Sequence, residues 1–159
     1  MALVEDGQPV LATVYNPAME ELFTAAAGQG AWLNGKAINA EHTLTAKPVL
    51  LASRSEIQRG EFEPFEAFAQ IRPCGSIAYK LALVAAGMAD ATFSLGPKNE
   101  WDIAAGVLLV SESGGNVTNS SGTPFIFNQR STLVDGIVAT TRNALEPVKI
   151  LIEQVTSRE

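Results

Sequence analysis

Few residues in this 159-residue chain are suited to chemistry, and the most conspicuous is Asp102. It stands between Trp101 and an apolar stretch, Ile-Ala-Ala-Gly-Val-Leu-Leu-Val, that runs on to Ser111-Glu112-Ser113-Gly114-Gly115. A carboxylate at the head of an apolar helix is costly unless something satisfies it. The helix itself can do so: aspartate is a favoured N-cap, accepting from an N–H of the first turn, for about 1 kcal/mol. A neighbouring cation or a bound metal can do so too. Mg²⁺ wants about six oxygen ligands and keeps several waters, so one or two carboxylates plus a substrate phosphate can hold it. The roles are compatible, since one oxygen can cap while the other points outward. A helix N-terminus also favours phosphate through its free N–H groups. Cys74-Gly75-Ser76 leads into a second such helix start. There the glycine lets backbone N–H groups approach an anion and Ser76 can cap or donate, although an ordinary tight turn with a cap has the same pattern.

Other chemistries lack the residues. His42 is the single histidine and Cys74 the single cysteine. Zinc sites built from Cys and His are therefore excluded by supply, and a hydrolase triad would have to use His42 in its polar stretch. One cysteine forms no internal disulfide and fits a reducing compartment, so a cytoplasmic location is expected. The net charge is −6, with no basic cluster, which argues against binding a nucleic-acid backbone. No apolar run reaches about 18 residues, so no membrane span is expected. With 47% hydrophobic and 18% charged residues, the chain can bury one sizeable core.

The elements that must position these residues follow from pattern. Residues 2–5 and 9–15 alternate as strands around Asp6-Gly7-Gln8, where glycine accepts the positive φ of a hairpin. After the Asn16-Pro17 turn, EELFTAAAG and GAWLNG alternate about Gly28-Gln29-Gly30. Residues 1–40 are thus expected to form an antiparallel meander whose first strand presents a bare edge. From residue 46 the rhythm changes. PVLLASRS is a short apolar strand, EFEPFEAFAQI a helix with Pro64 near its first turn, and IRPCG a strand end. SIAYKLALVAAG is a helix with Ile77, Leu81 and Val84 on one side, closed by Gly87. ADATFSL is a strand, and Asp102 opens a helix to about Ser113. NVTN and PFIF are short strands, DGIVATT a buried one, and NALEPVKILIEQVTSRE a terminal helix with Asn143 as cap and Pro147 in its first turn. The expected class is α/β (mixed α+β), with antiparallel hairpin strands over 1–45 and an α/β layered domain over 46–159.

The run Trp101-Asp102-Ile103-Ala104-Ala105-Gly106, followed by Glu112 and Gly114-Gly115, resembles the C-terminal signature of the inositol monophosphatase family of Mg²⁺-dependent, Li⁺-sensitive phosphomonoesterases. VYNPAMEELFTAAAGQGAWLNGKAI is similar to the family's central hairpins, GSIAYKLALVAAGMADATFS to the segment before the signature, and FNQRSTLVDGIVAT to its tail. The resemblance covers essentially the whole chain. It implies the C-terminal α/β portion of the family's sugar-phosphatase fold, Mg²⁺ as cofactor and Asp102 as a metal ligand. Gly75, Ser76 and Ile77 would line the pocket for a phosphorylated small molecule. Where inositol-selective members carry a glutamate just before the signature, this chain has Ser94. The insert Gly96-Pro97-Lys98-Asn99-Glu100 is instead similar to members that act on phosphoadenosine-type bisphosphates. Lys98 could then pair with a second phosphate, or be a lone surface lysine.

The family's remaining carboxylates are not in the sequence. No Asp-Pro-x-Asp-Gly run occurs, and Glu20-Glu21 matches a later hairpin of the family rather than its metal-binding glutamate pair; as residues, these two read as solvated hairpin charges. Family catalysis has metal ions activate a water and stabilise the phosphoryl oxygens, and Asp102 alone would hold such an ion weakly. The catalytic set is therefore incomplete. The chain is expected to be the substrate-side half of a phosphomonoesterase, inactive by itself and completed by a missing N-terminal half or by another chain. The alternative is a non-catalytic relic that self-associates, pairing bare β edges across a two-fold axis. A small-molecule sensor using the Gly75 turn without metal is a third possibility.

Overall fold

The computed structural model describes residues 1–42 and 46–157. Five strands, β1 (Ala2–Glu5), β2 (Gln8–Asn16), β3 (Glu21–Ala26), β4 (Gly30–Leu33) and β5 (Lys36–Ile38), form one antiparallel sheet in sequence order. The hairpin chemistry explains the meander. Asp6 and Gly7 both adopt positive φ, 49° and 79°, as a two-residue turn matched to strand twist requires.

Beyond the meander run β6 (Val49–Ala52), α1 (Arg54–Gln58), β7 (Gln70–Pro73), α2 (Ile77–Ala85), β8 (Ala91–Ser94), β9 (Lys98–Asn99), α3 (Glu100–Glu112), β10 (Asn116–Thr118), β11 (Leu133–Val134), β12 (Ile137–Thr140) and α4 (Leu145–Thr156). The second sheet has the order β10-β12-β8-β6-β7. In it β6 runs parallel to β7 and β8, while β12 runs antiparallel to β8 and β10. Strands β9 and β11 pair as a small ribbon.

Helices α2 and α3 are sandwiched between the two sheets. Val14 and Phe23 of the first sheet, Leu81 and Ile103 of the helices, and Leu51 and Ile137 of the second sheet share one core. The other face of the second sheet packs Leu50 and Phe93 against Phe62, Phe65, Val148 and Leu151. The strands of this sheet are covered on both faces, and their apolar runs reflect that. The first sheet is covered on one face only. Leu3, Leu11, Tyr15 and Leu22 point out of it and are exposed, and among the described residues no strand pairs with the outer edge of β1.

Four expectations are corrected. The helix expected over residues 61–71 is not formed. A single 3₁₀ turn at Glu63–Phe65 and then β7 take its place, while the helix of this region, α1, forms earlier, at Arg54–Gln58, over the end of the expected PVLLASRS strand. The cause is a capping box: Ser53 Oγ accepts the Glu56 N–H at 3.2 Å and the Glu56 carboxylate accepts the Ser53 N–H at 2.7 Å. This starts the helix early and leaves Phe62 and Phe65 free to turn into the Phe93 cluster. PFIF is not a strand, because Phe125 and Phe127 both insert into the first core and the Phe127 N–H is taken by the Gly7 carbonyl. Asn143 is not the cap of α4; it lies inside a 3₁₀ turn, Arg142–Ala144, that precedes it. Asp102 does not open α3, which begins two residues earlier with Asn99 in the N-cap position. The boundary expected between residues 45 and 46, and the last two residues of the expected terminal helix, lie at or outside the limits of the described residues. Among the described residues no helix is long and apolar enough to cross a membrane.

Candidate functional site

The C-terminal ends of β6, β7 and β8 point the same way, and each leads into a helix start: Ser53 into α1, Cys74-Gly75-Ser76 into α2, and Leu95–Asn99 into α3. Ligands in α/β sheets gather outside such strand ends. Helices α2 and α3 cross closely there, because Gly106 lies directly on Leu81 and a Cβ at 106 would overlap that side chain. Ile77 and Asp102 are each one turn, four residues, ahead of these contact points. Residues four apart share a helix face, so Ile77 and Asp102 flank the mouth of the seam. Ile77 is half-buried, whereas Gly75, Ser76 and Asp102 are exposed.

Asp102 is the third residue of α3, and among the described residues its carboxylate has no hydrogen-bond or ion-pair partner. Neither its own helix nor a cation satisfies it. Glu100, two residues earlier, is buried and committed: its two oxygens accept the N–H groups of Asn128 and Gln129 at 2.9 and 3.1 Å. Among the described residues no three or more His, Cys, Asp or Glu side chains stand together as a metal-binding group. The residues present therefore do not fit a protein-held Mg²⁺ ion, since one exposed carboxylate would leave the ion almost wholly to water.

The other expected positions divide. Ser76 caps α2, its Oγ accepting the Tyr79 N–H at 3.4 Å. Lys98 is half-buried on β9, with Nζ 3.5 Å from the Pro97 carbonyl. With Ser94 it lines a cavity of about 470 Å³ that Arg59, Phe62 and Phe93 also border and that none of Gly75, Ser76, Ile77 or Asp102 reaches. His42 sits 2.9 Å from the buried Asp90, at the opposite end of β8 from the start of α3.

Sequence reasoning passed over the groups that hold this region together. Glu21 is not a solvated hairpin charge: its carboxylate accepts the Tyr79 hydroxyl at 2.6 Å, tying the first sheet to α2. Burial, reinforced by that hydrogen bond, pushes the Tyr79 phenol up from its ordinary value. Lys80 and Glu56 form a buried ion pair at 3.0 Å between α2 and α1. Burial would raise the Glu56 carboxyl, but the Ser53 hydrogen bonds and the Lys80 charge outweigh it and hold it at about 2. The Ser53-x-x-Glu56 spacing was the available signal. Glu112 accepts the N–H groups of Gly28 and Gly30, both at 2.8 Å, fastening the β3–β4 turn to the end of α3. Glu112→Ala is expected to cost about 2 kcal/mol, as loss of hydrogen bonds to a charged group does. Faster hydrogen exchange at Gly28 and Gly30, with urea unfolding, measures it.

The profile of the inositol monophosphatase family matches residues 1–155. The chain is 40% identical over 131 residues to a Nus factor SuhB of Xylella fastidiosa, covering 77% of this chain and 47% of that protein. It is 34% identical over 140 residues to inositol monophosphatase 3 of Solanum lycopersicum, covering 82% and 52%. The solved structure of a Thermotoga maritima IMPase superposes with a TM-score of 0.81 at 30% identity, covering 99% of this chain and 61% of that one. The chain thus spans about half the length of the relatives it matches in sequence. With the family profile matching residues 1–155 and the fold shared over 99% of its length, the chain belongs to the inositol monophosphatase family.

Proposed function

We propose that this chain is the substrate-side half of a Mg²⁺-dependent phosphomonoesterase acting on a phosphorylated small molecule, and that alone it is inactive. The observation that carries this reading is the exposed, unpartnered Asp102 at the mouth of the α2–α3 seam: among the described residues no metal-binding group of three or more His, Cys, Asp or Glu forms, and the neighbouring Glu100 is spent on two backbone N–H groups. In it, Asp102 is one ligand of a metal held mainly from outside this chain, and Gly75, Ser76 and Ile77 receive the phosphorylated substrate at the start of α2. Lys98 borders a separate cavity with Ser94, so a second phosphate on it would have to reach beyond the Gly75–Ile77 turn into that cavity; Ser94, in place of a glutamate, argues against inositol monophosphate as substrate. The single cysteine supports a cytoplasmic setting.

Completion would come from a polypeptide segment pairing with the free edge of β1. A groove of about 640 Å³ beside that edge is lined by Met1, Ala2 and Val4 on one side and by Trp101 and Ala104 of α3 on the other. A strand added there would run against the residue that precedes Asp102. The test is inorganic phosphate release by the purified chain from sugar and nucleotide monophosphates, with and without Mg²⁺. No release above background and no Mg²⁺-induced shift in Tm are expected; Mg²⁺-dependent turnover by the solitary chain would overturn the reading.

A second reading has its own support. The outer face of the first sheet, with Leu3, Leu11, Tyr15 and Leu22 exposed, is an apolar surface of the kind that marks an interface. A non-catalytic, self-associating protein would use it to pair with a second copy. A stable dimer in solution that phosphate and Mg²⁺ leave unchanged favours that reading over the first.

A further inference from the structure

Ser76 has φ 63° and ψ 116°. That lies outside the left-handed helical basin, where ψ is about 30–60°, and a side chain makes it unfavourable. Such a conformation persists only where its surroundings over-determine it. Ser76 is hydrogen-bonded by the backbone N–H groups of two residues. Its Oγ accepts the Tyr79 N–H at 3.4 Å and its carbonyl accepts the Lys80 N–H at 3.0 Å.

Tyr79 and Lys80 are in turn anchored in different layers. Successive residues on a helix diverge by about 100°. The Tyr79 hydroxyl reaches Glu21 on β3 at 2.6 Å, and its ring meets Phe23 edge-on with centroids 6.2 Å apart. The Lys80 ammonium reaches Glu56 on α1 at 3.0 Å, where the Ser53 N–H holds the same carboxylate oxygen. The first turn of α2 is thus tied to the first sheet through one residue and to α1 through the next, and both hydrogen-bond Ser76.

We propose that Tyr79–Glu21 and Lys80–Glu56 are positioning pairs that hold Ser76 in its unfavourable conformation and so fix the direction of the leading N–H groups of α2. The pairs make no contact with substrate themselves. This rests on the reading of Gly75, Ser76 and Ile77 as the phosphate-receiving turn. It goes beyond that reading in assigning the shape of the turn to four residues on three elements.

The experiment follows Ser76 by NMR in the full chain, through its intraresidue HN–Hα NOE and one-bond Cα–Hα coupling, which report the sign of φ. The phosphate arm titrates inorganic phosphate against the amides of Gly75–Ala78. Tyr79→Phe removes the hydroxyl and keeps the ring on Phe23. In it, Ser76 is expected to relax to negative φ and the phosphate Kd to rise roughly tenfold. Glu21→Gln, which can still accept the hydroxyl, is expected to keep the wild-type signature. Ser76→Gly is expected to raise Tm and to make Tyr79→Phe without further effect on phosphate affinity. Lys80→Met repeats the test from the other side, and if it does not fold the Tyr79→Phe arm decides. Ser76 remaining at positive φ in Tyr79→Phe would overturn the proposal. Ser76 relaxing while phosphate moves none of these amides in the wild type would uphold the positioning and instead remove the phosphate reading of the turn.

Discussion

Lys80→Met is expected to cost about 3–5 kcal/mol at neutral pH, the usual consequence of leaving one member of a buried ion pair without its partner. Glu56 and Lys80 are only 4% and 2% exposed, so water cannot take the place of the missing ammonium. The two Ser53 hydrogen bonds remain, but they cannot offset burial of the charge alone. The pair also sets the acid limit of the wild-type fold. The Glu56 carboxyl lies at about 2, depressed from 4.5. Its stabilisation is therefore fully present above pH 4.5 and is lost as pH falls towards 2. That interval corresponds to roughly 3 kcal/mol. In Lys80→Met the carboxyl loses one cause of its depression, so less stability is lost between pH 4.5 and 2 and the acid limb should be shallower than in the wild type. Urea unfolding at pH 7 and at steps from pH 5 to 2 measures both effects. A loss below about 1 kcal/mol, with the acid limb unmoved, would mean that α1 is not held to α2 by this contact.

Gly106→Val is expected to cost about 3 kcal/mol, at the upper end for overpacking. The added Cβ would meet the Cδ1, Cβ and Cγ of Leu81, so the overlap reaches down to the backbone end of the side chain and a rotamer change alone does not clear it; Leu81 is also fully buried. The overlap can be relieved only by moving the helices apart. Separation would also open the seam and part Ile77 from Asp102. Chemical denaturation gives the stability, and amide shifts at Ile77 and Asp102 report the seam. Gly106→Ala should show the same effects in smaller degree. A Gly106→Val protein as stable as the wild type would show that the two helices are not in the close crossing that places the site.

Much of the architecture was legible because its signals are local. Asp6-Gly7 specifies a hairpin through the φ of two adjacent residues, and the apolar spacing of Ile77, Leu81 and Val84 specifies a helix face within three turns. The failures came where a neighbour distant in sequence outweighed a local preference. EFEPFEAFAQI has a helical pattern, yet Phe62 and Phe65 gain more by packing on Phe93, about thirty residues onward in the chain. PFIF alternates like a strand, but both rings turn into the core, and among the described residues no strand pairs with it.

The candidate site shows the same division. The residue types were readable: an aspartate after a tryptophan, a glycine and serine before a helix, and no Asp-Pro-x-Asp-Gly run. The sequence by itself determined that supply, because composition and short motifs do not depend on how the chain is folded. Only the tertiary structure decided how it is deployed. It showed Glu100 spent on two backbone amides, Glu21 bound to Tyr79, Lys80 and Glu56 buried together, and Asp102 left exposed. Each of these depends on which acceptor lies within about 3 Å of which donor across elements 24 to 58 residues apart. Hydrogen-bond strength falls away within a fraction of an ångström, and sequence spacing alone carries no distance that fine.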